Sequence, residues 1–317
     1  MREPTYRQAF VQAWHAVWHN KILWIFGLLS IFLGQFGFSS FIGQFGTLAT
    51  SGLNQGIQTL FPQYLITLPT GLWGVLGIVL VFLIMAALFV FVAFLAVTSQ
   101  GALIYFASEW FKGNKVITIA KAWKKGLQNF WEILAISIVR QVLLLFFIIL
   151  LGVIFNYFFS SNTFVSGLLI ALVIFAVLFI ALFISMIAIY AACYAVVDGK
   201  GFFSAIKKSW NLFHRHMLVS LEAGVLLMLM NFILVALVFI TSFLAFLPSI
   251  LIWLVAGITN YTALIAAGFF VGIGLWFVLL AALGAFFNAY TVSAWVYLFQ
   301  KMHKEGIVSR LIGWVRR

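Results

Sequence analysis

The sequence predicts an all-α, polytopic transmembrane bundle of six spans, organised as three repeated units of an interfacial amphipathic helix followed by a transmembrane hairpin. Three observations predict it. Of 317 residues, 65% are hydrophobic and only 8% charged, against about a quarter charged in an ordinary soluble domain. A mean hydropathy of +1.19 leaves more apolar surface than one globule can hide from water. Finally, the charges are segregated. They leave three stretches with none, Ile22 to Ser108, Gln141 to Val197 and Ala223 to Gln300.

Each uncharged stretch exceeds the roughly 20 apolar residues that one helix needs to cross the hydrocarbon. The first reads as spans at Ile22 to Ile42 and Leu72 to Val97, joined by a segment rich in Gly, Ser, Asn, Gln and Pro. The second divides at Ser160-Ser161-Asn162-Thr163 into Gln141 to Phe159 and Phe164 to Val197. The third gives Met217 to Ile240 and about Leu264 to Val296. Between them the apolar piece 241–263, broken by Pro248 and carrying Trp253, Asn260 and Tyr261, reads as a helix on the outer surface or a shallow re-entrant segment.

The 18 Lys and Arg against 6 Asp and Glu give a formal charge of +12. Apart from Arg140 the basic residues fall in four clusters, through Lys21, Glu109 to Glu132, Asp198 to Arg215 and Lys301 to Arg317. Positive charge beside a span is retained in the cytoplasm, so all four clusters and both termini belong on that side. Each uncharged stretch then crosses an even number of times. The amino end resembles a signal peptide only superficially, because its apolar run is long and no small-residue cleavage site follows; it reads as a retained first helix.

The three basic segments ahead of the hairpins share a pattern. Tyr6, Phe10, Trp14 and Val17, then Ile119, Trp123, Leu127 and Phe130, then Phe202, Ile206, Trp210 and Phe213 recur at helical spacing. On the other faces stand Arg7, Gln8, Gln12, His15 and His19, then Lys121, Lys124, Lys125 and Gln128, then Lys207, Lys208 and Asn211. Ala9, Ala120 and Ala205 mark one alignment, with spacings of 111 and 85 residues; aligning the tryptophans shifts the second unit by two. The whole chain 1–317 reads as one membrane domain, with units of about 1–108, 109–197 and 198–300 and a basic amphipathic tail at 301–317. Aromatic rings on one side and ammonium groups on the other suit the headgroup layer. The expected interfacial lipid contacts are Trp14, Trp123, Lys124, Lys125, Lys207, Lys208, Trp210, Arg316 and Arg317, on anionic lipid of the cytoplasmic face.

The stretch VVDGKGFFSAIKKSWNLF from Val196 and the stretch SEWFKGNKVITIAKAWKKGLQNFWEIL from Ser108 carry a recurring arrangement: a turn with Asp or Gly, an Ala, basic residues and a Trp entering the next span. In this the chain resembles the six-helix integral membrane family of prokaryotes that includes the YciC-like proteins and the membrane domain found beside glycerophosphodiester phosphodiesterases. The resemblance implies a multi-pass module of the inner membrane. It supplies no catalytic residue, because these 317 residues hold no counterpart of the soluble phosphodiesterase.

Two charges fall inside expected spans, Arg140 and Glu222. An ion pair between the third and fifth spans, an Arg140 reaching lipid phosphate, and a substrate or proton path are the three readings of such residues. Gln141, Asn156, Asn231, Asn288 and Tyr290 suit interhelical hydrogen bonds. Gly268 with Gly272, and Gly71, Gly74 and Gly77, suit close helix contact. His15 and His19, four apart, lack a third ligand unless His214 or His216 supplies one, so no metal is expected. Cys193, the single cysteine, reads as a small hydrophobe. No cofactor motif, nucleophile with its base, or nucleic-acid module is present, and a role in nucleic-acid binding or catalysis is not expected. Two functions are left: a non-enzymatic lipid-contacting scaffold or accessory subunit with membrane lipids and an unidentified protein as partners, or a small permease or lipid transporter with a cavity between the hairpins.

Overall fold

The computed structural model describes residues 5–34, 72–114, 117–159, 164–259 and 261–304, and every element within them is helical. In chain order these are α1 (Thr5–His19), α2 (Ile22–Gly34), α3 (Leu72–Phe111), α4 (Ile119–Gln128), α5 (Phe130–Phe159), α6 (Phe164–Asp198), α7 (Phe202–Arg215), α8 (Met217–Thr259) and α9 (Thr262–Lys304). Among the described residues five helices, α3, α5, α6, α8 and α9, are long and apolar enough to cross a membrane. The protein is a multi-pass helical membrane bundle. The 13 described residues of α2 reach only about 20 Å at 1.5 Å per residue; the rest of the expected first span, and the connection through Gly71, lie outside the described residues, as do 160–163.

Three expectations change. The helix entered at Leu72 does not stop at Val97 but continues through Ser99 and Gly101 to Phe111. Residues 241–259 form no surface or re-entrant piece, since α8 runs unbroken for 43 residues with Pro248 in its interior. Proline removes one backbone donor there, but the far end of α8 is held by α9: Trp253 Nε1 donates to the Ile265 carbonyl at 3.1 Å and Trp276 Nε1 to Ser242 Oγ at 2.8 Å. A Cβ on Gly268 would come within 2.8 Å of the Trp253 ring, and one on Gly272 would strike Ser249. The Gly268/Gly272 pair therefore does serve close packing. Lastly, Lys301 to Lys304 are not the start of a separate tail but the last turn of α9; 305–317, with Arg316 and Arg317, lie outside the described residues.

Successive long helices pack as hairpins, α2 with α3, α5 with α6 and α8 with α9. The second members α3, α6 and α9 touch one another pairwise, and α2 also lies along α9. The short amphipathic helices do not rest on their own hairpins: α1 packs on α9, α4 on α3 and α7 on α6. At Gly113 and Gly199 the chain leaves α3 and α6 with φ of +92° and +62°, the left-handed conformation that glycine adopts freely. The Asn114 amide donating to Glu109 O at 3.1 Å closes the first of these ends.

Burial is uneven. At the basic end the inner stretches of α3, α6 and α9 are sealed, with Leu103, Ile104, Tyr190, Val196, Leu298 and Phe299 almost fully buried. Toward the other end large apolar side chains face outward, Phe91, Phe175 and Phe239 among them, and Phe270 is 74% exposed. In lipid such exposure costs nothing, because hydrocarbon is as apolar as the side chains.

One tight junction is between α4 and α3, where a Cβ on Gly126 would strike the Thr98 carbonyl and lie 3.0 Å from the Ala102 nitrogen. Backbone cannot yield as a side chain can. Gly126→Val should therefore lower stability by about 1–3 kcal/mol, whereas Gly152→Val, with nothing within 4 Å of the added carbon, should be nearly neutral; thermal unfolding in detergent by intrinsic fluorescence compares them.

Candidate functional site

The three amphipathic helices form a collar around the basic end of the bundle, and each is built the same way. In α1 the buried residues are Ala9, Ala13, Ala16 and Val17, with Asn20 half-buried. In the second segment they are Ala122, Gly126 and Asn129, followed by half-buried Phe130 and buried Ile133; in the third, Ala205, Ser209, Leu212 and Phe213, with His216 half-buried. The intervals are identical, first residue, then four, seven, eight and eleven further on. Each helix thus turns a small-residue face, Ala-x-x-x-Ala, Ala-x-x-x-Gly or Ala-x-x-x-Ser, onto its long neighbour, as small residues do wherever helix backbones approach closely. The buried position in the second segment is Ala122; Ala120 is exposed.

At about 100° per residue the rest of each helix divides into two flanks. One is aromatic or aliphatic: Phe10 and Trp14; Trp123 and Leu127; Ile206 and Trp210. The other is polar: Gln8 and Gln12; Lys121 and Lys125; Ser204 and Lys208. Lys124 and Lys207 sit farthest from the buried face, where α1 has Val11. Lys124, Lys207 and Lys208 are exposed and Lys125 half-buried.

The expected aromatic contacts divide. Trp14 is 48% and Trp210 57% exposed. Trp123 is half-buried and stacks on Phe26 of α2, centroids 6.4 Å apart, so its ring serves mainly to dock α4. Trp14 belongs to a larger cluster centred on buried Phe286 of α9. It stacks on Trp18 at 5.7 Å with the rings 6° apart, and Trp14, Trp18 and Trp24 all meet Phe286 edge-on or tilted, at 5.2 to 6.2 Å. Trp24 Nε1 also donates to the Val17 carbonyl at 3.0 Å, which fixes the elbow between α1 and α2. Tyr290 stacks on Phe10.

Of the polar groups expected between helices, Asn288 is one: its Nδ2 donates to Gly27 O at 2.9 Å and to Ser30 Oγ at 2.8 Å, tying α9 to α2. Asn231 is not. Its amide donates to Leu227 O at 3.0 Å on its own helix, the usual i−4 back-bond of a polar side chain in an apolar helix. Tyr290 contributes ring contacts, and Asn156 lies near the end of α5. Arg140 is half-buried in α5 and Glu222 half-buried near the start of α8. Cys193 is fully buried in α6. The rings of His15 and His19 are neighbours, centroids 5.4 Å apart and tilted by 31°, with His19 Nδ1 2.9 Å from the His15 carbonyl; among the described residues no three His, Cys, Asp or Glu stand together as metal ligands do.

Sequence reasoning missed the polar contacts where the inner helices end. Tyr190 OH donates to Ser220 Oγ at 3.1 Å, joining α6 to α8, and Gln300 Nε2 donates to Ser108 O at 2.8 Å, joining α9 to α3. Near the end of α9, His303 Nε2 lies 3.9 Å from Asp198 Oδ2, with Tyr194 OH 3.4 Å from its other ring nitrogen. No spacing within one helix announces contacts between different helices, here 30 to 192 residues apart in the chain. Comparison of the chain with protein-family models, curated proteins and solved structures finds no match.

The two bonds of Asn288 give a direct check on which polar groups hold the bundle. Interhelical hydrogen bonds in membranes average about 0.6 kcal/mol, so Asn288→Leu should cost about 1 kcal/mol and Asn231→Leu little, measured by reversible unfolding in mixed micelles.

Proposed function

We propose that this protein is a non-enzymatic scaffold or accessory subunit of a prokaryotic cytoplasmic membrane, made of three related hairpin units with six spans and both termini inside, whose collar of amphipathic helices rests in the headgroup layer on anionic lipid. The observation that carries this reading is the cyclic arrangement of the collar. Each amphipathic helix grips the second long helix of the preceding unit, and the first grips that of the last: α4 on α3, α7 on α6 and α1 on α9. A shared burial pattern with shared flanks, at offsets of 113 and 83 residues, supports descent of the three units from one. In this reading each collar helix lies in the headgroup layer with its aromatic flank toward the apolar zone and its polar flank toward water. This is the posture of an interfacial helix. The reading accords with the membrane modules that the two basic turns resemble.

The second reading, a small permease or lipid transporter, needs a cavity between the hairpins, whereas the apolar surface of Leu83, Ala86, Val90 and Phe94 lies on α3 alone and is open to the outside. The sealed packing of α3, α6 and α9 at the basic end supports the scaffold over it, because a transport path has to open there.

Spin labels test the collar. On a Cys193→Ala background, labels replacing Trp14, Leu127 and Trp210 should be accessible to oxygen and shielded from a water-soluble nickel relaxant, and labels at Gln8, Lys121 and Ser204 the reverse. Equal exposure of both sets to the nickel reagent would place the collar in water and end the proposal. We further propose that Arg140 and Glu222 interact as an ion pair between the third and fifth spans. A charge left alone in such a site is costly, so Arg140→Gln should destabilise and Glu222→Gln added to it should restore part of the loss; strict additivity of the two changes refutes the pairing.

A further inference from the structure

We infer that the collar holds two equivalent sites for the headgroup of an anionic phospholipid, one on α4 and one on α7, and that the third position, on α1, is built against such a headgroup. The inference rests on the collar reading proposed above and adds to it a stoichiometry and an asymmetry.

The burial pattern aligns the three helices residue by residue. Two and three places after the first buried alanine, α4 carries Lys124 and Lys125, and α7 carries Lys207 and Lys208. Further cations reinforce each pair, Lys121 on α4 and Arg215 at the end of α7. Neither helix contains a carboxylate, and although Glu109 at the end of α3 interacts with Lys121, each polar flank keeps a net positive charge. A phosphodiester is the group that complements it, because lysine meets phosphate oxygens as a point charge with several donors. The exposed aliphatic and aromatic side chains at the matching positions Leu127 and Trp210 lie on the adjoining flank, where the acyl chains of the same lipid begin.

On α1 the two places are Val11 and Gln12. The one cation on that helix apart from its histidines is Arg7, and the surface is dominated by the stacked Trp14 and Trp18 against Phe286. Three units with a common plan thus present two cationic faces and one neutral aromatic face. A tryptophan surface partitions to the interface without selecting the sign of the headgroup.

Native mass spectrometry of the full chain released from nanodiscs of phosphatidylcholine doped with phosphatidylglycerol reads the count. Two phosphatidylglycerol molecules should be retained per chain. Lys124→Gln with Lys125→Gln should leave one, Lys207→Gln with Lys208→Gln should leave one, and all four changes should leave none. Each loss corresponds to about 30-fold weaker retention for two lysines at an anionic surface. Val11→Lys with Gln12→Lys should raise the count to three. These positions are exposed or at the rim, and unchanged thermal unfolding of each variant confirms that the fold is kept. Retention that ignores both pairs, or a count of three that does not need the added lysines, overturns the inference. Spin labels at 14, 127 and 210 separate the two failures: shielded labels with unresponsive counts sink only the two-site inference, whereas water-exposed labels sink the collar itself.

Discussion

Close backbone contact between a short helix and a long one is the constraint on which the rest of this structure depends. A helix rich in aromatic residues keeps its rings off its neighbour only if something smaller fills the contact. Ala9 and Ala13, Ala122 and Gly126, and Ala205 and Ser209 fill it. At the α4 contact even a methyl group would meet the Thr98 carbonyl. With the small face so engaged, the two flanks of each collar helix have no freedom to exchange places. Trp14, Leu127 and Trp210 fall on one side, and Lys125 and Lys208 on the other, because rotation about the helix axis is already fixed.

That constraint explains where the core lies. In water, apolar side chains cluster by the hydrophobic effect; within lipid that force vanishes between helices, and packing must come from shape and hydrogen bonds. Here shape complementarity is concentrated where the collar meets α3, α6 and α9, and the buried residues are concentrated there too. Polar ties sit in the same zone: Tyr190 to Ser220, Gln300 to Ser108 and Asn288 to Gly27 and Ser30. Farther along, α8 and α9 remain in contact through glycine and tryptophan, while the outer faces of all the long helices present large apolar side chains outward.

Much of the architecture was legible in the sequence because charge segregation and apolar run length are one-dimensional signals. Five of the expected spans correspond to helices long enough to cross a membrane, and the amphipathic segments stand where their periodicity put them. The length of α8 was not legible. Pro248 reads as a break, and only the grip of Trp253, Ser249 and Phe246 around Gly268 and Gly272 on the partner helix accounts for continuity through it. The register of the second unit was also misplaced by two residues. Ala120 and Ala122 are indistinguishable until burial shows which one faces α3. The aromatic residues of these helices were conspicuous, yet Trp123 is half-buried against Phe26 and helps dock α4, and the plainer alanines make the closest contacts.

Each short amphipathic helix is followed in the chain by two longer helices that pack together, and α4 and α7 come after the ends of α3 and α6, on which they then pack. The collar in turn needs all three units, because the helix that opens the chain is seated on the helix that closes the described bundle, α1 on α9. Phe286 and Tyr290 come from the far end of the sequence to meet Trp14 and Phe10. A chain ending after two hairpins would leave α1 without its seat and its small face of Ala9, Ala13 and Ala16 uncovered. The contact of α1 with α9 ties the beginning of the described chain to its end.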